Sequence, residues 1–222
     1  MRLLVVVPLF HKYTRSLESI FNQDVPCPVD YLTIANDDPH TDGTLQGNYR
    51  NIVRKYNRAR ELFLACDYDA FICMEDDIIL PPNAIKRLLA CESDVAYGLV
   101  CWRHGADKPW SARLPDPTQP LGRVLSETPE KARALWGQVV DVVGVGQACT
   151  LIRRRVLEQL EFRLEPDAVE CCDWHFAKDC VTHGFTQRAD LGLICGHITP
   201  HPTPRIVWPD KDEKRLWRVS RL

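Results

Sequence analysis

Apolar runs alternate with amphipathic stretches along most of this chain. Residues 3–8 (LLVVVP) are a continuous, largely β-branched run, the pattern of a strand buried on both faces of a parallel sheet. Thr14 can then cap a helix in which Leu17, Ile20 and Phe21 recur at helical spacing, and Pro26 and Pro28 end that region. Residues 29–35 predict a second strand, which delivers Asn36, Asp37 and Asp38 at its carboxyl end. A polar, turn-rich loop leads to a helix over 49–66, with Ile52, Tyr56, Ala59 and Phe63 on one face. Arg50, Arg54, Lys55, Arg58 and Arg60 mostly fall on its other sides, where solvation explains most of them and one or two can reach a phosphate. A strand over 71–74, a helix over 83–91 and a strand over 95–101 follow.

The alternation breaks over 103–139, a stretch rich in Pro, Gly and charge. It predicts a long irregular insertion, with a short helix near 130–135, and long insertions in compact domains are often functional. Trp102, Trp110 and Trp136 lie at its edges or inside, and each can pack or offer a ring to a sugar or base. The pattern resumes with a strand over 139–143, a Gly144-Val145-Gly146 turn, a strand over 148–152 and a helix over 153–160. An acidic segment precedes a helix carrying Trp174, Phe176, Ala177 and Val181, which His183-Gly184 ends with a C-cap glycine. A last strand over 185–195 runs to Gly196-His197-Ile198, and the proline-rich tail from 199 is expected to pack over the domain edge. Such alternation is that of an α/β chain with a doubly wound, mostly parallel sheet flanked by helices. With no repeat or boundary, residues 1–222 read as one domain.

Within that frame one stretch carries the chemistry. Glu75-Asp76-Asp77 follows the apolar run Phe71-Ile72-Cys73-Met74, and Pro81-Pro82 lies just beyond. Three adjacent acids therefore fall at the carboxyl end of a strand, where open α/β sheets place their ligands. Crowded carboxylates repel one another, and burying them is costly without a cation, so a divalent metal is the expected partner.

Composition narrows the classes. A chain of 222 residues, 45% hydrophobic and 26% charged, is long enough to bury a sizeable core. The net charge of −2 demands no polyanionic partner. Ten cysteines show no CxxC pair and no secretory leader precedes them, so they read as reduced, mostly buried thiols of a cytoplasmic protein. The apolar run 3–10 is too short to span a membrane. The spacing of Cys171, Cys172, His175, Cys180 and His183 matches no standard zinc pattern.

Taken in order, these parts resemble the GT-A-fold glycosyltransferases, especially the large inverting class called family 2, over roughly residues 3–198. Ile34-Ala35-Asn36-Asp37-Asp38-Pro39-His40-Thr41-Asp42-Gly43-Thr44 is similar to the family's second-strand motif, an acidic pair before a Ser/Thr-Asp-Gly-Thr turn. Asn57-Arg58-Ala59 after Arg54 and Lys55 resembles its Arg-Asn-x-Ala helix, and Glu75-Asp76-Asp77 stands where the family has Asp-x-Asp. Gly144-Val145-Gly146 before Leu151-Ile152-Arg153-Arg154 resembles its Gly-rich turn before a strand and helix. Cys172-Asp173, with Gly184 downstream, is similar to the Glu-Asp helix start that holds the catalytic base, and Gly196-His197-Ile198 to the late histidine of the metal site. Two departures stand out. Glu75 replaces the first Asp of the signature, which leaves open which acids bind metal and which ribose, and Cys172 replaces the Glu before the base.

The resemblance implies a GT-A (Rossmann-like) domain with a nucleotide-sugar half over 1–101, an acceptor half over 102–198 and a tail over 199–222. It implies transfer of a sugar from a nucleotide-diphosphate donor, with a UDP-sugar favoured, to an acceptor hydroxyl, with inversion. Mn²⁺ or Mg²⁺ would neutralise the diphosphate, and an added imidazole tilts the choice to Mn²⁺. Asp77 and His197 are the expected ligands, with His201 in reserve. Asp76 or Glu75 would hold the ribose or a metal-bound water. Asp37, or Asp38 in the alternative register, would take the base, with Pro8, Arg50, Arg54 and Asn57 also on the donor side. Asp173 is the expected general base, ahead of Asp167 and Glu170, and Trp102, Trp110, Trp136 and Gly146 the expected acceptor contacts. The acceptor stays open among glycan, small molecule, protein and hydroxymethylated DNA base, the last disfavoured by the charge. A nucleotidyltransferase is the main rival, but Pro8-Leu9-Phe10-His11-Lys12 stands where its Gly-rich phosphate loop belongs. A non-catalytic nucleotide-sugar-binding domain is the other.

Overall fold

The computed structural model describes residues 1–35, 45–102, 107, 109–165, 171–199 and 203–222. The apolar run at the start forms β1 (Leu3–Pro8), buried at every position. Its side chains alternate between two cores, as the period of two requires. Leu4 and Val6 join one with Tyr56, Phe63 and Phe176, while Leu3, Val5 and Val7 join the other with Ile20, Ile85 and Leu88.

After β1 come α1 (Thr14–Phe21), β2 (Val29–Ile34), α2 (Leu45–Ala65), β3 (Ala70–Met74), β4 (Ile78–Ile79), α3 (Ala84–Ala90) and β5 (Val95–Leu99). The second half adds β6 (Arg113–Asp116), β7 (Gln119–Val124), α4 (Pro129–Leu135), β8 (Val139–Asp141), β9 (Cys149–Arg153), α5 (Arg154–Leu157) and α6 (Cys172–Thr182). It ends with β10 (Gln187–Ile194), β11 (Gly196–Thr199), β12 (Arg205–Pro209) and β13 (Trp217–Arg221). The main sheet has the order β2-β1-β3-β9-β5-β10-β8. Five strands run one way, while β9 and β8 run against their neighbours.

Three features depart from the sequence expectation. Thr14 is the first residue of α1 rather than its cap, and Tyr13 stands before it in extended backbone. The insertion contains the antiparallel pair β6–β7, whose turn is closed by Asp116 accepting from the backbone N–H and hydroxyl of Thr118. Three prolines, Pro115, Pro117 and Pro120, disguise that hairpin in the sequence, because proline removes ladder donors. The tail supplies β12 and β13, which with β11 and β4 make a second, antiparallel sheet in the order β13-β12-β11-β4.

The second sheet matters for the site. β4 begins one residue after the three acids and pairs with β11, setting His197 opposite Ile78. The Ile198 N–H donates to the Asp77 carbonyl at 2.8 Å. His197 is thus brought to the acids by backbone pairing. Among the described residues, which include all ten cysteines, no two are joined by a disulfide, and no helix is long and apolar enough to cross a membrane.

Candidate active site

The chain leaves β3 at Met74 and turns at once, because the Ile78 N–H donates back to the Glu75 carbonyl at 3.1 Å. This turn sends the three acids to different tasks. One oxygen or nitrogen from each of Glu75, Asp77 and His197 lies within 4.8 Å of the others. His197 Nε2 is 3.7 Å from Asp77 Oδ2. Its other ring nitrogen, Nδ1, is 2.8 Å from the Cys101 carbonyl oxygen. A carbonyl can only accept, so Nδ1 carries a proton and Nε2 is the nitrogen turned towards the carboxylates. An imidazole held this way by a backbone carbonyl, beside two carboxylates, is a donor set suited to a divalent cation.

Asp76 is absent from that cluster. It is 1% exposed, and its Oδ2 accepts the backbone N–H groups of Phe10, His11 and Lys12, each at 2.7 Å. Three successive amides converging on one oxygen form an anion nest, and the carboxylate of Asp76 fills it. Lys12 holds φ at +54°, a left-handed conformation uncommon for a side-chain-bearing residue. Lys55 fastens the same loop from the other side. Its ammonium donates to the Leu9 carbonyl at 3.1 Å and lies 3.7 Å from the centroid of the Phe10 ring. Lys55 is buried on α2, a role missed in reading the sequence. The signal was present, since Ile52, Lys55, Tyr56 and Ala59 share one helical face.

Asp173 sits in the first turn of α6, where a carboxylate is favoured by the helix dipole. The turn before β9 reaches it. The Gln147 N–H donates to Asp173 Oδ2 at 3.3 Å, and the Cys172 thiol lies 3.5 Å from Oδ1. Gly146 faces the same carboxylate, so that a Cβ there would stand 3.6 Å from Oδ2. Burial raises the Asp173 carboxyl above the usual range, against the pull of Gln147 and the neighbouring thiols. Glu75 and Asp173 lie close enough to act on shared neighbours. Burial, and then the charges of Glu75 and Asp173, push the Cys73 thiol well up. Burial is the main cause at the Tyr56 hydroxyl too, with Cys73, Glu75 and Asp173 adding to it.

The other sequence candidates are spread more widely. Pro8 ends β1, level with Ile34 at the end of β2. Asp37, Asp38, Asp167, Glu170 and His201 lie outside the described residues. Arg50 and Arg54 are exposed on α2 and line a groove with Val53 and Leu164. Asn57 is committed to Phe162, donating to its carbonyl at 2.7 Å and accepting its N–H at 2.9 Å. Trp102 is 38% exposed, whereas Trp110 is fully buried, and its indole N–H donates to the Leu216 carbonyl. Trp110 therefore presents no face to an acceptor, and half-buried Trp136 packs against it with ring centroids 5.4 Å apart. The aromatic ring beside Asp173 is Trp174, which the sequence reading placed only as a helix residue. Among the described residues the cysteine-rich segment around α6 forms no metal cluster, while Glu75, Asp77 and His197 do.

No family model and no curated protein sequence matches the chain. Solved structures do. A197 from STIV aligns with a TM-score of 0.57 at 17% identity, over 89% of this chain and 85% of that one. S. aureus TarS 1-349 aligns with a TM-score of 0.52 at 15% identity, over 85% of this chain and 58% of that one. The same fragment in complex with UDP-GlcNAc aligns with a TM-score of 0.51 at 17% identity, over 85% of this chain and 56% of that one. The present chain thus spans under three-fifths of the TarS fragment, and the likeness is one of fold. The mostly parallel sheet with flanking helices is the GT-A fold that the sequence resemblance implies.

Proposed function

We propose that this chain is a metal-dependent glycosyltransferase that moves a sugar from a nucleotide-diphosphate donor to an acceptor hydroxyl with inversion. The observation that carries this reading is the convergence of Glu75, Asp77 and His197 at the end of a central strand. The UDP-GlcNAc held by S. aureus TarS, whose fold this chain shares, favours a UDP-sugar donor.

Glu75, Asp77 and His197 would hold Mn²⁺ or Mg²⁺, with the imidazole favouring Mn²⁺. Bound there, the cation would offset the negative charge that the departing diphosphate gains. Asp76 and Lys55 act one step back, by shaping the loop after β1. Asp37 or Asp38 stays assigned to the nucleotide base on sequence grounds, and Arg50 and Arg54 to the diphosphate. Asp173 takes the proton of the acceptor hydroxyl. As the acceptor oxygen bonds to the anomeric carbon from the face opposite the leaving group, the bond to the donor phosphate breaks. Its electron pair stays with the nucleoside diphosphate.

The test is release of UDP from UDP-GlcNAc and UDP-glucose in the presence of Mn²⁺, together with calorimetric titration of UDP. Metal-dependent release that Asp77→Ala abolishes is expected. If neither donor is hydrolysed and UDP does not bind, the chain does not use a uridine donor and this reading fails.

A further inference from the structure

One side-chain pair beside Asp173 has no task in the donor chemistry. The guanidinium carbon of Arg113, on β6, lies 4.5 Å from the ring centroid of Trp174, the residue after Asp173. The backbone fixes this pairing. The Arg113 N–H donates to the Gly144 carbonyl at 3.1 Å, and the Arg113 carbonyl accepts from the Val143 N–H at 3.0 Å. A Cβ on Gly144 would stand 3.2 Å from the Trp174 ring, so the glycine leaves room for the indole close to this turn. Gly144 and Arg113 therefore both lie against the Trp174 ring, and the same turn runs on through Gly146 to the amide that holds Asp173.

Arg113 is poorly matched by the protein around it. Its Nε is buried without a hydrogen-bond partner. Its Nη1 has only a long contact, 3.5 Å, to the Gly122 carbonyl. Among the described residues no carboxylate pairs with it, although most other half-buried arginines of the chain have one, such as Arg87 with Asp190 and Arg163 with Asp179. A half-buried guanidinium without an anion keeps only part of its hydration, and a ligand that brings the anion to it is favoured. A second orphan lies on the same turn. Gln147 is 1% exposed, and neither its amide oxygen nor its amide nitrogen has a partner.

We propose that Arg113 and Trp174 form the acceptor subsite, and that the acceptor carries an anionic group, phosphate or carboxylate, near its reactive hydroxyl. The anion meets the guanidinium, which offers a planar fork of donors to oxyanions. The body of the acceptor lies along the Trp174 edge, and its hydroxyl reaches Asp173. This deepens the glycosyltransferase reading and rests on it for the role of Asp173, but binding of the anion can be measured apart from donor chemistry.

The experiment titrates the full chain, saturated with Mn²⁺ and UDP, with glucose, glucose 6-phosphate and glucuronate as probes. The phosphate and carboxylate arms separate the two sources of charge. At least one anionic probe is expected to bind about tenfold tighter than glucose, since a charge-assisted pair is worth roughly 1.4 kcal/mol or more. Arg113→Gln should erase that preference while Arg113→Lys retains part of it. Arg113→Gln should also melt no lower than wild type, which a structural arginine would not allow. Binding should change the emission of Trp174, and Trp174→Phe should remove that change. Equal binding of neutral and anionic probes, a preference that survives Arg113→Gln, or an emission change that survives Trp174→Phe overturns the proposal. The separate UDP titration reports on the donor reading, and if UDP fails to bind, the probes are titrated against the protein alone with the same criteria.

Discussion

Glu75 and Asp173 are tied to consecutive residues of one turn. The Glu75 N–H donates to the Ala148 carbonyl at 3.1 Å, and the Gln147 N–H donates to Asp173 Oδ2 at 3.3 Å. The candidate metal-binding acid and the proposed base are thus registered against each other by a single dipeptide. Ala148 leads straight into β9, which pairs with β3 through Met74 and Cys149, so the turn inherits the rigidity of the sheet. Two acids far apart in sequence gain a fixed spacing in this way, which positional catalysis requires.

The two glycines of that turn should respond differently to alanine. A Cβ at Gly144 would stand 2.6 Å from the Ala177 Cβ, a contact that forces backbone movement. Gly144→Ala should cost about 1–3 kcal/mol, as overpacking does, and shift Asp173 with α6. At Gly146 the added Cβ meets only Asp173 Oδ2 at 3.6 Å, an ordinary contact. Gly146→Ala should therefore melt within a few degrees of wild type, and its effect should appear in acceptor KM. Denaturant titration of both variants decides it, and equal stability losses would contradict the geometry.

At the acid cluster, His197 is expected to act through Nε2, with Nδ1 held by Cys101. His197→Ala should weaken Mn²⁺ at least about tenfold, since even residues behind metal ligands cost that much, and should narrow the preference for Mn²⁺ over Mg²⁺. Asp77→Ala should remove Mn²⁺ binding. The free-ion electron paramagnetic resonance signal measures both. Wild-type Mn²⁺ affinity in both variants would remove the cluster from consideration as a metal site.

Much of this arrangement was legible in the sequence, and what was hidden has physical causes. The β1 run, the acids after β3, the glycine turn and the helix start at Asp173 each depend on local pattern, and local pattern was enough. The role of Asp76 was not readable, because its three donors are backbone groups at 10–12, and backbone donors leave no mark in a sequence. The place of Trp110 was hidden for a similar reason. Its position in the insertion allows it to pack or to offer a ring, and only the carbonyl of Leu216, 106 residues away, which satisfies its indole inside the core, decides between them. Strands β12 and β13 were masked by prolines and mixed charge in a tail whose pairing is set by β11.

Asp76 offers a separation of structural from ligand roles. Its Oδ2 gathers three amides, two of them from exposed residues that water can partly solvate when the carboxylate is gone. Asp76→Ala should cost about 2 kcal/mol, in the range for hydrogen bonds to a charged group, and leave Mn²⁺ affinity close to wild type. Chemical denaturation and the same resonance titration test both halves. A loss of Mn²⁺ equal to that of Asp77→Ala would return Asp76 to the metal.

Asp173 ties stability to activity through pH. Burial raises its folded-state pKa above the unfolded value. The native state then binds more protons across that window, so the stability present below the unfolded pKa is lost as pH rises through the folded one. Asp173→Asn carries no such charge. It should melt above wild type near pH 8, with the gap shrinking towards zero as pH falls to about 4, the ordinary value for an aspartate. Transfer should respond in the opposite sense. The base works only when ionised, so the wild-type rate should climb with pH through the raised pKa, and Asp173→Asn should lose transfer by roughly 10²–10⁴-fold. Melting curves from pH 4 to 8 beside acceptor-dependent UDP release make the comparison. A variant less stable than wild type at every pH would assign Asp173 to the α6 dipole and the Gln147 amide alone, and a variant with intact transfer would move the base elsewhere.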